Sequence, residues 1–305
     1  MSWARFKRLS SKKDLTRYRR ATTFDGGGGG GGNLLLDLYP GGSAAYSLRQ
    51  LSSTYNGYAI RVRRSSDNAE QDIGFSGGIL DTASLSSFCG AGSGYVTTWY
   101  DQSGLNLTLT QTTAASQPQI YSSGSVILLN SVPSLQFDGS NDYLDGGNVL
   151  NIGTNSFTSF SVVNVTANGH ERTIYSKGKF GTDNNKYWLV SQGSNLNSFL
   201  YTTGAYTPAI AFLSRPYTKL LTVKIIRGDS NTLFANGSQI AKNSFVGNYT
   251  MTSAFSFRVG AYGGGAGTTG SHLDGNISEL IIYLSDQTAN QTDIESDIND
   301  YYNIY

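Results

Sequence analysis

Four aromatic residues in the second half of the chain are of the type that binds sugars. Trp188, Tyr201, Tyr206 and Tyr262 lie in or beside stretches rich in glycine, serine and asparagine. A sugar ring packs on an aromatic face while nearby amides and hydroxyls form hydrogen bonds with its hydroxyl groups. We therefore predict these four residues as carbohydrate-binding candidates. The alternative is that some of them are ordinary core or surface aromatics.

Three aspartates in the stretch FDGSNDYLD are of the type that binds metal ions. The carboxylates of Asp138, Asp142 and Asp145 would suit Ca²⁺, which prefers oxygen ligands. Aspartates at turns, however, usually accept hydrogen bonds from their own backbone. Because no second group of ligands accompanies them, we predict turn chemistry and no cofactor, with a Ca²⁺ site as the alternative.

The N-terminal 20 residues are strongly basic. They contain eight basic side chains and one acidic side chain, so they carry +7 in a chain whose formal net charge is +1. Such a segment is typical of arms that bind nucleic acid, an anionic surface or an acidic protein groove. The predicted anchoring residues are Arg5, Lys7, Arg8, Lys12, Lys13, Arg17, Arg19 and Arg20.

Seven consecutive glycines, residues 26–32, follow the basic segment. A phosphate-binding loop is the alternative for such a run, but no GK[ST] motif and no helical pattern follow it. A glycine run behaves as a flexible tether. We therefore predict three parts: a basic anchoring arm (1–25), a polyglycine tether (26–32) and a single compact body (33–305).

The composition favours an all-β body that positions the aromatic residues. Tyrosine (20 residues) and glycine (37) are abundant, only 14% of residues are charged, and proline (5 residues) is scarce. These features favour twisted strands joined by glycine and Asn/Asp turns. After residue 131, short strand patterns recur between turns such as FDGSND and RGDSN, which is typical of an antiparallel sandwich. The single cysteine excludes an intrachain disulfide.

Three segments have helical patterns. AAYSLRQLSSTY places Tyr46, Leu48, Leu51 and Tyr55 near helical spacing and is predicted to form a helix that covers a sheet edge. DTASLSSF (81–88) has the pattern of a short capped helix. TDIESDINDYYNIY is predicted to be a last helix that packs Ile294 and Ile298 on the sheet.

Two blocks resemble known families. PSLQFDGSNDYLDGG (133–147) and LDGNISELIIYLSDQTANQTDIESDINDYY (273–302) resemble laminin-G-like or concanavalin-A-like lectin and glucanase domains. The earlier block, YAIRVRRSSDNAEQDI with SFCGAGSGYVTTWYDQSG, resembles the catalytic domain of arabinofuranosidase B. Both resemblances imply a concanavalin-A-like jelly-roll sandwich of antiparallel strands with short peripheral helices.

The second resemblance also implies where catalytic carboxylates would lie. In that family the pattern is a glutamate immediately before Asn-Gly, and an aspartate in a glycine-rich stretch before the closing strand. The matching positions here are Ala167 and Gly263 or a neighbouring glycine. Glu171, four positions after Ala167, takes the first role only if the alignment shifts. We therefore predict no catalytic residues and a protein that is not an enzyme.

A basic arm, a glycine tether and a lectin-like body together resemble the arrangement of phage virion proteins. The resemblance implies a non-catalytic virion surface protein, such as a decoration, fibre or tail protein. Residues 1–25 would bind other virion proteins, and the lectin-like body would attach to glycans or a host surface within an oligomeric assembly. The chain lacks the apolar region of a signal peptide and any apolar run of membrane-spanning length, so synthesis in the host cytoplasm is expected. The alternatives are a glycoside hydrolase related to arabinofuranosidase B and a nucleic-acid-binding protein that uses the basic arm.

Overall fold

The structure is a computed structural model that describes residues 34–166, 170–179, 185–202, 205–244, 249–262 and 271–305. The predicted arm and tether therefore lie outside the described residues. Within the described residues, no helix is long and apolar enough to cross a membrane.

The described elements are mainly short strands. The helices are α1 (Leu35–Leu38), α2 (Thr82–Cys89) and α3 (Gln291–Tyr302), with a 3₁₀ turn at Ala114–Ser116. The strands are β1 (Ala44–Ser47), β2 (Ile60–Arg64), β3 (Glu70–Ile73), β4 (Phe75–Ser76), β5 (Ile79–Leu80), β6 (Gly94–Trp99), β7 (Leu109–Thr110), β8 (Gln119–Ser122), β9 (Ser125–Val126), β10 (Leu128–Leu129), β11 (Val132–Pro133), β12 (Leu135–Asp138), β13 (Leu144–Gly147), β14 (Phe157–Val165), β15 (Arg172–Lys177), β16 (Lys186–Gln192), β17 (Asn195–Thr202), β18 (Ala205–Phe212), β19 (Tyr217–Ile226), β20 (Ser230–Ala235), β21 (Ser238–Ser244), β22 (Phe257–Val259) and β23 (Asp274–Tyr283).

The longest strands form one antiparallel ladder. β23 pairs with β14, β14 with β19, β19 with β20, and β20 with β21. On its other edge, β23 pairs with β1 and β12. β14 has the sequence FTSFSVVNV, and all of its residues except Asn164 are buried. Such a run of apolar and β-branched residues suits a strand that is covered on both faces.

A second ladder carries the aromatic candidates. It runs from β13 through β22, β15, β16 and β17 to β18, and every pairing is antiparallel. Successive side chains of a strand point to opposite faces. Tyr187 and Leu189 of β16 therefore join the main hydrophobic core, whereas Trp188 and Val190 lie on the opposite face.

β6 joins the two ladders. Its first residues pair with β8, which pairs with β12, and its last residues pair with β7, which pairs with β13. β2 pairs with β6 and β3. The described chain is therefore mostly antiparallel β-sheet with few helices, and the sheet is nearly closed in the manner of a barrel. The predicted all-β class is confirmed at this level.

The two later helix predictions are confirmed, and the first is wrong. In α2 the side chain of Asp81 accepts a hydrogen bond from the backbone N–H of Ser84, which caps the helix. In α3, Ile294 and Ile298 are fully buried against the sheet. The segment around Tyr46 is instead strand β1, where Tyr46 pairs with Leu280 of β23.

The WYDQSG motif explains why this segment is extended. Asp101 accepts hydrogen bonds from the backbone N–H groups of Ala45 and Leu107, at 2.8 and 3.0 Å. Gln102 binds the backbone on both sides of Arg49. Because these contacts and the β23 pairing satisfy the backbone of β1, strand pairing outweighs the helical spacing of its apolar residues. The motif is a structural element, since Trp99, Asp101 and Gln102 are all buried.

A buried ion-pair network fixes α3 against the sheet. Arg49 donates to Glu279 from Nε and Nη2, at 2.9 and 3.0 Å, and to Asp297 from Nη1 at 2.9 Å. Glu279 is 0% exposed. The guanidinium carbon of Arg49 also lies 5.0 Å from the ring centroid of Tyr301, within range of a cation–π interaction. The two buried carboxylates thus share one cation, Arg49.

Candidate functional site

Strands β16 and β17 build an aromatic cluster on the face of the second ladder that points away from the main core. We call this cluster the aromatic face and define it as Trp188, Val190, Phe199, Tyr201 and Tyr262. Trp188 pairs with Phe199 across the β16–β17 ladder, so their side chains lie on the same side of the sheet. In the strand sequences KYWLVSQ and NSFLYT, every second side chain points to this face of the sheet, which produces the cluster.

The rings of the aromatic face are in direct contact. Trp188 stacks on Tyr201 with a centroid distance of 5.5 Å and an interplanar angle of 6°. The ring centroid of Phe199 lies 4.6 Å from that of Trp188. The ring of Tyr262 contacts Trp188 edge-on, with a centroid distance of 6.2 Å. Trp188 is only 5% exposed, so the accessible part of the cluster is formed by Tyr201 and Tyr262. Aromatic pairs of this kind contribute about 0.5–1.5 kcal/mol beyond their buried area.

Glu171 lies at the border of the aromatic face, immediately before β15. Its Oε2 accepts a hydrogen bond from the hydroxyl of Tyr262 at 2.7 Å, and its Oε1 accepts one from the side-chain amide of Gln192. Gln192 in turn accepts a hydrogen bond from the Asn197 amide at 3.3 Å. Burial, and then the hydrogen bond to Glu171, raises the pKa of Tyr262 well above its usual value. The Tyr262 hydroxyl therefore remains a donor, and both Glu171 oxygens are held in place.

A second carboxyl group, Asp142, lies in the turn between β12 and β13. Asp138 accepts hydrogen bonds from the backbone N–H groups of residues 140–142, while Asp142 accepts one from the backbone N–H of Asp138 at 3.0 Å. Asp142 is 6% exposed. Burial, and then the nearby Asp138 carboxylate, raises the pKa of Asp142 to about 7. Asp142 therefore exchanges a proton near neutral pH.

Arg172 connects this turn to the strand that follows Glu171. It donates from Nη1 to the backbone carbonyls of Gly139 and His272, at 3.0 and 2.9 Å. Gly139 has a φ of +76°, and a Cβ there would lie 2.6 Å from Cβ of Asp274. Glycine is thus required where the turn approaches β23. Burial lowers the pKa of His272, which favours the neutral imidazole.

The three aspartates of FDGSNDYLD have separate partners. Asp145 forms an ion pair with Nε of Arg258 at 2.8 Å, while Asp138 holds the turn and Asp142 binds the Asp138 N–H. In the described ranges, no group of three or more His, Cys, Asp or Glu side chains is arranged to hold a metal ion.

The structure unites three of the four aromatic candidates. Trp188, Tyr201 and Tyr262 belong to the aromatic face. Tyr206 lies on β18, where its backbone pairs with that of Tyr201 on β17. The side chain of Tyr206 lies outside what the structure describes. Ala167 and Gly263, the two positions implied for catalytic carboxylates, also lie outside the described residues.

Sequence reasoning missed Phe199 and Gln192 as members of the site. Both were detectable in principle, because Gly193 and Ser194 form a short turn that pairs β16 with β17. A hairpin at that turn places Phe199 opposite Trp188. Because side chains alternate between the two faces of a strand, Gln192, four positions after Trp188, lies on the face of Trp188.

Part of the chain is similar to arabinofuranosidases in sequence. A family model described as Alpha-L-arabinofuranosidase B, catalytic, matches residues 37–132. The chain is also 40% identical over 82 residues to proteins named "Probable alpha-L-arabinofuranosidase B" from Aspergillus flavus and Aspergillus fumigatus. That segment is 25% of this chain and 16% of each relative. The resemblance of the earlier block to arabinofuranosidase B is therefore confirmed.

The fold is also similar to that of solved arabinofuranosidases. An arabinofuranosidase in complex with arabinofuranosyl-α-1,2-xylobiose superposes with a TM-score of 0.58 at 18% identity. A GH54 α-L-arabinofuranosidase soaked with a cyclic sulfate inhibitor gives a TM-score of 0.56 at 17% identity. Each match covers 84% of this chain and 62% of the other chain. At this level of identity the likeness shows the fold.

These matches contradict the prediction of a non-catalytic virion surface protein. The matched family, the two named relatives and the two structures described above are arabinofuranosidases, which favours the alternative of a glycoside hydrolase. The predictions of a protein that is not an enzyme, of a phage structural role and of a virion location are therefore wrong. They relied on the N-terminal segment and on two aligned positions, whereas the similarity lies in the body of the chain.

Proposed function

We propose that this chain is a glycoside hydrolase of the arabinofuranosidase B type, which removes α-L-arabinofuranosyl groups from a larger carbohydrate. The observation that carries the proposal is the position of Glu171, whose carboxylate is held by Tyr262 and Gln192 beside the aromatic face. The family match over residues 37–132 and the arabinofuranosidase-like fold support it.

Glycoside hydrolysis uses two carboxyl groups. One acts as nucleophile or base, and the other protonates the leaving oxygen. Ala167 and Gly263, which occupy the positions implied by the resemblance, have no carboxyl group. The proposal therefore requires other residues, and it assigns the nucleophile or base role to Glu171. Two neutral donors hold this carboxylate without neutralising its charge.

Asp142 has the property required of the acid. With a pKa of about 7, it is protonated in a large fraction of molecules at neutral pH. Arg172 connects its turn to the strand that begins next to Glu171. The proposal assigns proton donation to Asp142.

The aromatic face supplies the sugar-binding wall in this proposal. Tyr201 and Tyr262 are its accessible rings, and Trp188 supports them from below by stacking. The proposal includes a concanavalin-A-like jelly roll as the finer description of the fold. The antiparallel order of both ladders supports that description.

Hydrolysis of 4-nitrophenyl α-L-arabinofuranoside by the full chain tests the function. We expect release of 4-nitrophenol, and Glu171→Gln is expected to lower kcat by about 10²–10⁴-fold because it removes a reacting carboxylate. Glu70→Gln is the matched control, since Glu70 lies on β3 with an exposed side chain. A folded wild-type protein without activity would overturn the proposal. Equal activity of the wild type and Glu171→Gln would overturn the assignment of Glu171.

A further inference from the structure

The described chain begins beside its last helix. Leu35 of α1 lies in the same small hydrophobic cluster as Ile294 and Ile298 of α3. The backbone N–H of Leu34 donates to the Asp37 carboxylate at 3.0 Å, which fixes the first described residue at the start of α1. The basic N-terminal segment is therefore connected to the body at a point next to α3.

One side of α3 is acidic. Asp293, Asp297 and Asp300 occupy positions i, i+4 and i+7 of the helix, so their side chains lie on the same side. We call these three residues the acidic flank. Asp297 is buried, Asp293 is partly exposed and Asp300 is exposed. The acidic flank therefore runs from the interior of the protein to its surface.

The acidic flank lies on the side of α3 that faces the beginning of the described chain. Arg49 donates to Asp297 at 2.9 Å. Two residues later, the carbonyl of Leu51 accepts a hydrogen bond from the backbone N–H of Leu36 in α1 at 2.8 Å. A short segment of chain thus contacts both the acidic flank and α1.

The sequence of α3 does not balance the charge of the acidic flank. The helix contains four acidic side chains and no lysine or arginine. Acids three or four positions apart repel each other, and Asp300 in the last turn is unfavourable to the helix dipole. Arg49 is already shared by Glu279 and Asp297, while Lys224 donates to a hydroxyl in the loop before α3. Any further cation that stabilises this side of the helix must come from another segment.

The N-terminal segment has the complementary charge and the required length. Residues 1–20 carry +7, whereas residues 34–305 contain 14 basic and 19 acidic side chains and carry −5. A glycine-rich run of eight residues, the length of 26–33, has an r.m.s. span of about 15 Å. A helix of 12 residues such as α3 is about 18 Å long. A tether of this length gives a local concentration of about 1 mM or more, so a weak contact suffices.

The apolar residues at this place also match. Tyr39 and Tyr301 are partly buried against the hydrophobic cluster under α1 and α3. The N-terminal segment has Trp3 and Phe6 among its basic residues. Nucleic acid, which is itself negative, would be repelled by the acidic flank. A segment that combines cations with aromatic rings is the partner that fits.

We propose that residues 1–20 bind the acidic flank of α3 in the same chain. The cations of the segment then pair with Asp293 and Asp300, and any other anionic partner of the segment must compete with α3. This inference does not rest on the proposed function, because neither Glu171 nor the aromatic face takes part in the contact.

Carbodiimide cross-linking of the full chain maps the contact, because the reagent joins a lysine only to a carboxylate that it touches. We expect the lysines of the N-terminal segment to be joined to Asp293 or Asp300 within one chain at about 0.01 M salt. At about 1 M salt the Debye length falls from about 30 Å to about 3 Å, and these cross-links should be lost. Asp67, an exposed residue between β2 and β3, is the matched control.

Two cross-linking results would overturn the inference. One is equal joining of the lysines to Asp67 and to the acidic flank. The other is cross-links that occur only in dimers, because the acidic flank would then bind the N-terminal segment of a second copy.

The fluorescence of Trp3 provides the second measurement. The chain has three tryptophans, and Trp99 and Trp188 are buried. Quenching by acrylamide, a neutral solute, therefore reports mainly on Trp3. We expect quenching of the wild type to rise between about 0.01 M and about 1 M salt, as screening releases the segment. Quenching that does not depend on salt would overturn the inference.

Variants of the acidic flank assign the change to α3. The double variant Asp293→Asn, Asp300→Asn is expected to show the high-salt quenching at every salt concentration. The double variant Asp67→Asn, Glu70→Gln removes the same charge from exposed residues on another part of the surface and should behave like the wild type. Equal behaviour of the two double variants would overturn the assignment to the acidic flank.

This inference and the proposed function fail in different ways. Cross-links to the acidic flank without hydrolysis of the aryl substrate would support the contact and overturn the proposed function. Hydrolysis by a chain that shows neither the cross-links nor salt-dependent quenching would support the function and overturn the contact.

Discussion

Glu279 and Glu171 are both fixed by hydrogen bonds, but the regions around them balance charge differently. Glu279 is 0% exposed and receives two hydrogen bonds from Arg49. Glu171 is partly exposed, and within the described ranges no lysine or arginine forms an ion pair with it. Its donors are a phenol and an amide. The first arrangement holds α3 on the sheet, whereas the second leaves a charge available to a ligand.

The largest expected effect would come from Glu279→Gln. Removing one partner of a buried ion pair leaves Arg49 partly uncompensated, and we expect the free energy of unfolding to fall by about 3–5 kcal/mol. Urea denaturation measures this change. In the same experiment, Glu171→Gln is expected to change stability by less than about 1 kcal/mol. Similar losses in the two variants would remove the distinction between the two regions.

Asp142 sharpens the comparison because it is a buried carboxyl group without a cation in the described part of the chain. Its folded pKa of about 7 is above the usual value of 3.8 for an aspartate in an unfolded chain. Its stabilising contribution is therefore complete below about pH 4 and is lost as the pH rises from about 4 to 7. Asp142→Asn should remove this contribution, which is on the order of 2–4 kcal/mol.

Urea denaturation at several pH values tests this prediction. The difference in unfolding free energy between the wild type and Asp142→Asn isolates Asp142 from the other carboxyl groups. A difference that is constant between pH 4 and 7 would contradict a raised pKa.

The smallest expected effect would come from Tyr262→Phe, which keeps the ring and removes the donor to Glu171. One hydrogen bond to a charged group is lost, so thermal denaturation should show a decrease of about 1 kcal/mol in stability. The kcat of hydrolysis should also fall while KM changes little, because Glu171 loses one of its two donors. Trp188 still packs against the ring in this variant. An unchanged kcat would show that the hydroxyl does not orient the reacting carboxylate.

The sequence predicted the fold class and part of the site. Local signals were sufficient for α2, where Asp81 caps the helix, and for α3, where Ile294 and Ile298 have helical spacing. They failed at Tyr46, because strand pairing with residues more than 230 positions away determines its conformation. Local spacing contains no information about that partner.

The candidate site shows the same limit. Trp188 and Tyr201 were predictable as sugar-binding types, and one hairpin brings them together. The contact of Tyr262 with Glu171 joins residues 91 positions apart, so only the folded chain reveals it. The same holds for the pKa of Asp142, which depends on burial beneath the turn.

The strands β7 and β8 limit how this protein can exchange segments with its relatives. The family-model match ends at residue 132, yet β8 and β7 inside that region form hydrogen-bonded pairs with β12 and β13 beyond it. A genetic exchange with its boundary near residue 132 would separate these pairs and expose unpaired backbone. The region is therefore not a module that can be inherited alone, and substitutions on the two sides of residue 132 must be selected together.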